Sequence, residues 1–365
     1  MSSLPRVVID ARMVGSIPHG IARYVTQISK GLAEQKELSF APLFLVRPGM
    51  EDAFSGFETH TVRTPFLDPK ETFLLPFVLK RLKPALYHSP SFSSLAFAPC
   101  PYLITLHDLN HLEWGNPIEK IYYEAILKPF IRKAKAVLTV SEFSKFEIER
   151  WMPGLKPEVI SNAIDRGLKL VGPDDEERGK EILDRLQIQK KRYFLCLSNP
   201  KPHKNLPTLL RAFQKFRERS PDFRDYKLVL SVKDYSNEPN VISMGGIGDV
   251  EVRHLLKNAT ALPFPSYYEG FGLPPIEAAA AGVIPLPSKI PAHLEAFRVA
   301  LDAVSFKKIH FTEPGEPDRW VESLSLAAEG RILSPSPEVQ RNLTDFYSIE
   351  KIGTKVKEVY ERMLK

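Results

Sequence analysis

Short runs of β-branched and aromatic residues alternate along the chain with longer stretches whose apolar positions recur every three to four residues. That alternation predicts parallel strands joined by crossover helices, an α/β fold. The strand-like runs of the first half are RVVIDA (Arg6 to Ala11), APLFLV (Ala41 to Val46), ALYHS (Ala85 to Ser89), YLITLHD (Tyr102 to Asp108), AVLTVS (Ala136 to Ser141) and PEVIS (Pro157 to Ser161). A charged segment, GPDDEERGKEILDRL (Gly172 to Leu186), then interrupts. The alternation resumes with RYFLCLS (Arg192 to Ser198), KLVLSV (Lys227 to Val232), ALPFP (Ala261 to Pro265) and GVIPLP (Gly282 to Pro287). Helices are expected at about Ile21 to Gln35, Leu206 to Arg219, Val250 to Asn258 and Pro275 to Ala281. A last helix, Ile349 to Leu364, places Ile352, Val356, Val359 and Tyr360 on one face. The charged interruption marks a boundary, giving a first Rossmann-like domain at 1–171, a second at 172–345 and a terminal helix at 346–365.

Length fits this division, because 365 residues with 43% apolar and 26% charged side chains suffice for two cores. The net charge of +6 permits weak attraction to anionic lipid or nucleotide. No basic recognition helix, aromatic RNA-binding signature or zinc-finger spacing accompanies it, so a nucleic-acid partner is not expected. Two cysteines, Cys100 and Cys196, lie in opposite halves and outside any CxxC pattern, which fits a reducing cytoplasm. The first apolar run, Val7 to Ile9, is too short for a signal peptide, and no stretch is long enough to span a membrane. One segment, FLLPFVLKRLK (Phe73 to Lys83), is apolar and then basic. It reads first as an ordinary packed helix and second as a membrane-surface helix, so peripheral contact with the inner membrane surface remains open.

The densest chemistry lies in PSYYEGFGLPPIEAAAAG, Pro265 to Gly282. Pro274 and Pro275 sit where a helix begins and Gly282 where it stops. Gly270 and Gly272 let the backbone approach a ligand, and peptide N–H groups at a helix start favour anions. Glu269 and Glu277, eight residues apart, flank this cradle. Phosphates in the middle with hydroxyls at both ends would suit it, as in a sugar nucleotide. A second element, NPKPHKNLPTLLRAF (Asn199 to Phe213), carries Lys204 between a strand and a helix, where its ammonium can reach a phosphate. A third, HGIARY (His19 to Tyr24), has Gly20 in the loop after the first strand and Arg23 as either an anion contact or a surface charge. In the fourth, LITLHDLNHL (Leu103 to Leu112), His107 ends an apolar strand, and Asp108 either orients an acceptor or caps a turn. His107 and His111 have metal-like spacing, but only a helix would bring both rings to one face, so no metal is expected there. No D-x-D triplet is found in the motifs either.

These motifs resemble the family 4 retaining glycosyltransferases, whose signature is two glutamates eight apart in an EGFGLPxxEAxAxG context, and more narrowly a mannosyltransferase-like branch of it. The resemblance runs over nearly the whole chain. It implies the GT-B architecture: two Rossmann-like domains facing each other across a cleft, the first on the acceptor side and the second on the donor side, with a C-terminal helix crossing back to the first. It also implies site roles. Glu269 meets hydroxyls of the donor sugar, and Glu277 the ribose. The backbone of Gly270, Phe271, Gly272 and Leu273 meets the diphosphate, and Lys204 stabilises the leaving diphosphate. Asn199, Asn205 and Gly20 join the donor site, Ile247 of GGIGDV borders the base, and His107 contacts the transferred sugar. Departures are His203 for the common arginine, Ser198 for glycine, Asn199 where some branches carry arginine, and Ala22 for the second glycine of the first loop.

The expected activity is therefore a retaining, metal-independent transfer of a hexose from a nucleotide-diphosphate sugar to a glycan or lipid-linked acceptor in cell-surface polysaccharide synthesis, with no cofactor. GDP-mannose is the first expectation for the donor and a UDP-sugar the second. A nucleotide-sugar epimerase or a phosphorylase on the same fold is the competing enzyme class. A non-catalytic sugar-binding subunit is the third reading.

Overall fold

In the computed structural model, residues 4–15, 20–66, 68, 70–164, 173–233 and 235–365 are described. His19 of HGIARY and the anticipated boundary at 171/172 lie outside them. The chain divides into two compact units, Met1–Ala163 with Tyr347–Lys365, and Ile164–Phe346.

The first unit is built on seven parallel strands: β1 (Arg6–Asp10), β2 (Ala41–Val46), β3 (Glu58–Thr61), β4 (Leu86–Ser89), β5 (Tyr102–Thr105), β6 (Ala136–Thr139) and β7 (Glu158–Val159). Their order is β3-β2-β1-β4-β5-β6-β7, so the winding reverses between β1 and β4. The second unit holds β8 (Tyr193–Cys196), β9 (Lys227–Leu230), β10 (Val241–Ser243), β11 (Ala261–Phe264) and β12 (Ile284–Pro287). These run parallel in the order β10-β9-β8-β11-β12, with the reversal between β8 and β11. Central strands such as YFLC and ALPF are buried along their length, as a sheet covered on both faces requires. The two strands absent from the hydropathy reading, β3 and β10, each lie at one edge of their sheet. ETHT is mostly exposed and VIS is three residues long, so neither has an apolar run to announce it.

Packing separates the cores. One face of the second sheet is covered by the helix Leu206–Arg219, whose Leu209, Phe213 and Phe216 meet Phe194 and Leu228, together with Trp320 and Leu324 of the helix Pro317–Ala328. Tyr193, Leu195 and Val229 face a second cluster with Leu255, Ala278 and Ile247. In the first unit a buried polar knot replaces apolar packing at the sheet reversal. The Arg12 guanidinium binds both oxygens of Asp10 at 2.9 and 2.7 Å and reaches Glu71 at 3.1 Å, and Ser93 donates to Glu71 at 2.7 Å. Every member of this knot that carries charge is paired, which is what burial demands.

The helix Ile349–Leu364 forms over its expected residues and belongs to the first unit, although the second unit precedes it in the chain. The expected Ile352, Val356, Val359 and Tyr360 are buried, together with Ile349 and Gly353. It lies against the helix Gly20–Ala33 through two glycines. A Cβ on Gly353 would stand 2.1 Å from the Gly31 carbonyl oxygen, and one on Gly31 would stand 2.7 Å from the Gly353 Cα. The Tyr360 hydroxyl is 2.6 Å from His88 Nδ1, whose Nε2 is 2.8 Å from the Thr105 hydroxyl. Because backbone meets backbone at Gly31 and Gly353, no side-chain rotation relieves an added methyl. Gly353→Ala is expected to lower stability by about 1–3 kcal/mol, read as a fall in melting temperature, while Gly248→Ala, exposed, in open space and at an ordinary φ of −73°, supplies a surface comparison.

Candidate functional site

Strand order places the chemistry. Ligands of open α/β sheets bind beyond the carboxyl ends of the strands where the winding reverses, and in the second unit that point lies between β8 and β11. The segment after β8 carries Lys204 and Asn205, and the segment after β11 carries Glu269 to Leu273. Lys204 Nζ is 2.7 and 2.8 Å from the two carboxylate oxygens of Glu269, and both side chains are nearly buried. Ser266 donates to the same carboxylate at 2.6 Å. The ammonium also stands 5.7 Å from the centre of the Phe264 ring. Burial pushes the Glu269 carboxyl up, but Lys204, the neighbouring His293 and the Ser266 hydroxyl outweigh it and hold the group below the usual carboxylate range.

Local sequence explains the loop. Gly272 caps the helix Leu273–Ala280 at φ 88°, in the left-handed region, and a Cβ there would stand 2.3 Å from His293 Cδ2. A side chain is thus excluded both by backbone conformation and by space. Pro274 and Pro275 follow in the first turn. They have no N–H, so of the four donors that a helix start leaves outside the helical ladder, Gly272 and Leu273 supply the two that remain. The anion cradle is narrower than the motif suggested. Glu277 is buried one turn further on.

Asn205 adopts φ 55° and begins the helix Leu206–Arg219. Its side-chain nitrogen donates to the carbonyls of Pro265 and Pro314 at 3.0 and 2.7 Å, which clamps the Glu269 segment to its neighbours. The structure therefore places its amide in a loop-holding role. Asn199 is exposed, and its oxygen accepts from Lys201 N at 3.2 Å. Ile247 is buried in the apolar cluster beside Leu255, and the adjoining Glu251 pairs with Arg185.

Two residues escaped the sequence reading. Ser266 stands three positions before Glu269 inside the quoted motif, so its signal was present. His293 was not legible as a lone histidine in PAHLEAF, since only the tertiary fold brings it beneath Gly272. Its Nδ1 donates to the Ser288 carbonyl at 2.8 Å, and Ser288 donates to the Ser266 carbonyl. A buried chain thus runs from His293 through Ser288 and Ser266 to Glu269. Nε2 of His293 is buried with no hydrogen-bond partner.

The first unit holds its own predicted residues. Gly20 starts the helix Gly20–Ala33 and has open space where a Cβ would be, and Arg23 is half-buried in its first turn. His107 follows β5, donates from Nε2 to the Pro90 carbonyl at 3.0 Å and meets the Tyr24 ring edge-on at 4.8 Å. Tyr24 therefore ties the Gly20 helix to His107. Asp108 accepts from Asn110 N at 3.0 Å, the turn-capping alternative. His111 pairs with Glu119 at 3.2 Å and packs against Phe92 and Tyr123, away from the contacts of His107.

Residues 18–168 match the family model described as "Glycosyltransferase Family 4", and residues 179–338 match "Glycosyl transferases group 1". The chain belongs to these glycosyltransferases and is a transferase enzyme. It is 26% identical over 342 residues to the O-antigen chain mannosyltransferase B of Escherichia coli, covering 83% of this chain and 88% of that one. It is 29% identical over 202 residues to the O-antigen chain mannosyltransferase RfbU of Salmonella typhimurium, covering 53% of each. Among solved structures it resembles Anabaena HepE, crystallised with UDP and glucose, with a TM-score of 0.74 at 16% identity over 98% of this chain and 100% of that one. Sucrose-phosphate synthase from Thermosynechococcus elongatus gives a TM-score of 0.74 at 14% identity, over 98% and 99%. At such identities the likeness concerns the fold, which is of the GT-B type with two parallel-sheet α/β domains.

Burial, only partly opposed for His293 by Glu269 and the Ser288 bond, keeps two histidines neutral. His293 falls to about 4, and His88, also beside His107, to about 3. The unfolded chain takes up these protons first as pH falls through the usual histidine value. Stability should therefore drop from about pH 6.5 towards pH 4 and below. Urea midpoints across that range check this, and His293→Asn should show a shallower loss than the wild type.

Proposed function

We propose that the chain is a retaining, metal-independent mannosyltransferase that uses GDP-mannose and extends a glycan or lipid-linked acceptor in O-antigen-type polysaccharide synthesis. The observation that carries this reading is the Lys204–Glu269 pair beside the Gly272 cap, a cation and a carboxylate held together at the point where the second sheet reverses. The names of the two bacterial relatives support mannose as the sugar.

In this reading Lys204 and the Gly272 and Leu273 N–H groups face the diphosphate, where negative charge grows as the bond from the sugar C1 to the phosphate oxygen breaks. Donors fixed in place before the reaction stabilise that charge without reorganising. Glu269 orients the sugar hydroxyls, and its bond to Lys204 fixes both groups relative to each other. Glu277 takes the ribose. The acceptor hydroxyl attacks C1 on the face the phosphate leaves, its proton passes to the departing phosphate oxygen, and GDP is released with the anomeric configuration kept. Lysine and peptide donors supply the charge a divalent ion would otherwise provide.

Replacing Glu269 by Gln should lower turnover on the order of a hundredfold or more while GDP affinity, measured by calorimetry, changes little. Equal losses in both would remove its sugar-contacting role. Glu277→Ala should instead weaken GDP binding. Donor identity is read from thermal stabilisation by a panel of GDP- and UDP-sugars. GDP-mannose should raise the melting temperature most, and a stronger response to a UDP-hexose would displace it. Release of GDP only when acceptor is added separates transfer from epimerisation. Activity should persist with a chelator present, and its complete loss, restored by manganese, would end the metal-independent reading.

A further inference from the structure

The helix Glu71–Leu82 buries Glu71, Leu75, Pro76 and Leu79, yet its other side is not the polar face a surface helix normally shows. Phe73, Leu74 and Phe77 point outward and are 64%, 47% and 55% exposed. Lys80 and Arg81 lie on the same outward arc, with Lys70 at the helix start. The only acid in the helix, Glu71, is turned inward to Arg12 and Ser93. Three large apolar side chains thus sit among cations, with no carboxylate from their own helix.

The patch extends beyond the helix for a reason that can be traced to one residue. Pro76 has no N–H, so the Thr72 carbonyl one turn earlier is released from the helical ladder. That carbonyl accepts from Ala96 N at 2.8 Å. The bond holds the neighbouring segment against the helix and sets Phe97, 45% exposed, edge-on to Phe77 with ring centres 5.6 Å apart. Four clustered exposed apolar side chains go beyond the single ones scattered over ordinary surfaces.

We propose that this face docks the enzyme on an anionic lipid surface, with Phe73, Leu74, Phe77 and Phe97 entering the interface and Lys70, Lys80 and Arg81 meeting the headgroups. Apolar residues flanked by cations are the chemistry such a surface selects. A second copy of the chain fits less well, because a two-fold contact through this face would set the same cations against each other. The inference does not rest on the transferase reading, since its test measures lipid binding alone.

The full chain is sedimented with vesicles of phosphatidylcholine, with and without phosphatidylglycerol. The wild type is expected to bind the anionic vesicles, more weakly at high salt, and to bind the neutral ones least. Phe73→Ser with Phe77→Ser should cut partition into both by roughly tenfold or more. Lys80→Glu with Arg81→Glu should abolish the preference for anionic vesicles, a loss of about tenfold or more at roughly 1 kcal/mol per charge. Unchanged melting temperatures and circular dichroism spectra show that the variants remain folded. Absence of wild-type binding to either vesicle, or binding by the serine variant equal to wild type, overturns the proposal. A dimer in light scattering that the serine variant dissolves would also overturn it, by making the face a self-interface. Should the charge-reversal variant unfold, Lys80→Gln with Arg81→Gln carries the same comparison.

Discussion

A lysine and a glutamate taken out of water together impose the tightest constraint on the second unit. Neither charge tolerates burial alone, so the segment after β8 and the segment after β11 must meet at a fixed distance. Asn205 and Ser266 serve that meeting, one by gripping two proline carbonyls and the other by completing the carboxylate's shell. Gly272 and His293 then set where the helix start points. The site is thus prepared by electrostatics acting between loops, while the strands beneath need only be apolar and parallel.

Much of this is legible in the sequence. The central strands announce themselves by apolar runs, and the helices Leu206–Arg219 and Ile349–Leu364 form over their expected residues. The edge strands ETHT, mostly exposed, and VIS, three residues long, carry no such run and pass unnoticed, whereas the apolar edge strand IPLP does not. The glutamate pair and Lys204 are readable because their glycine and proline neighbours are local in sequence. The buried chain through Ser288 to His293 joins residues from different loops, and no local pattern encodes it. Asn205 illustrates a different limit. Its place in the motif is plain, but only the fold brings its side-chain nitrogen to the protein's own backbone.

The first unit solves the same topological problem with different chemistry. At its sheet reversal it buries the Asp10–Arg12–Glu71 knot rather than leaving a cation and a carboxylate at a ligand-facing edge. His107 reaches the same end of the sheet from β5, held by Tyr24 and the Pro90 carbonyl. The two halves share a plan of parallel strands, and differ in which polar groups occupy the carboxyl ends.

The return of the segment Tyr347–Lys365 to the first unit has a consequence for biosynthesis. The ribosome makes this segment after the whole of the second unit. Until then Gly31 lacks its helical neighbour and His88 lacks the Tyr360 hydroxyl. The second unit, contiguous in the chain, can complete its core first, while the earlier-made half waits with an apolar groove uncovered. Domains ordinarily finish in the order they emerge. Here the unit begun first can close only after the other has been made.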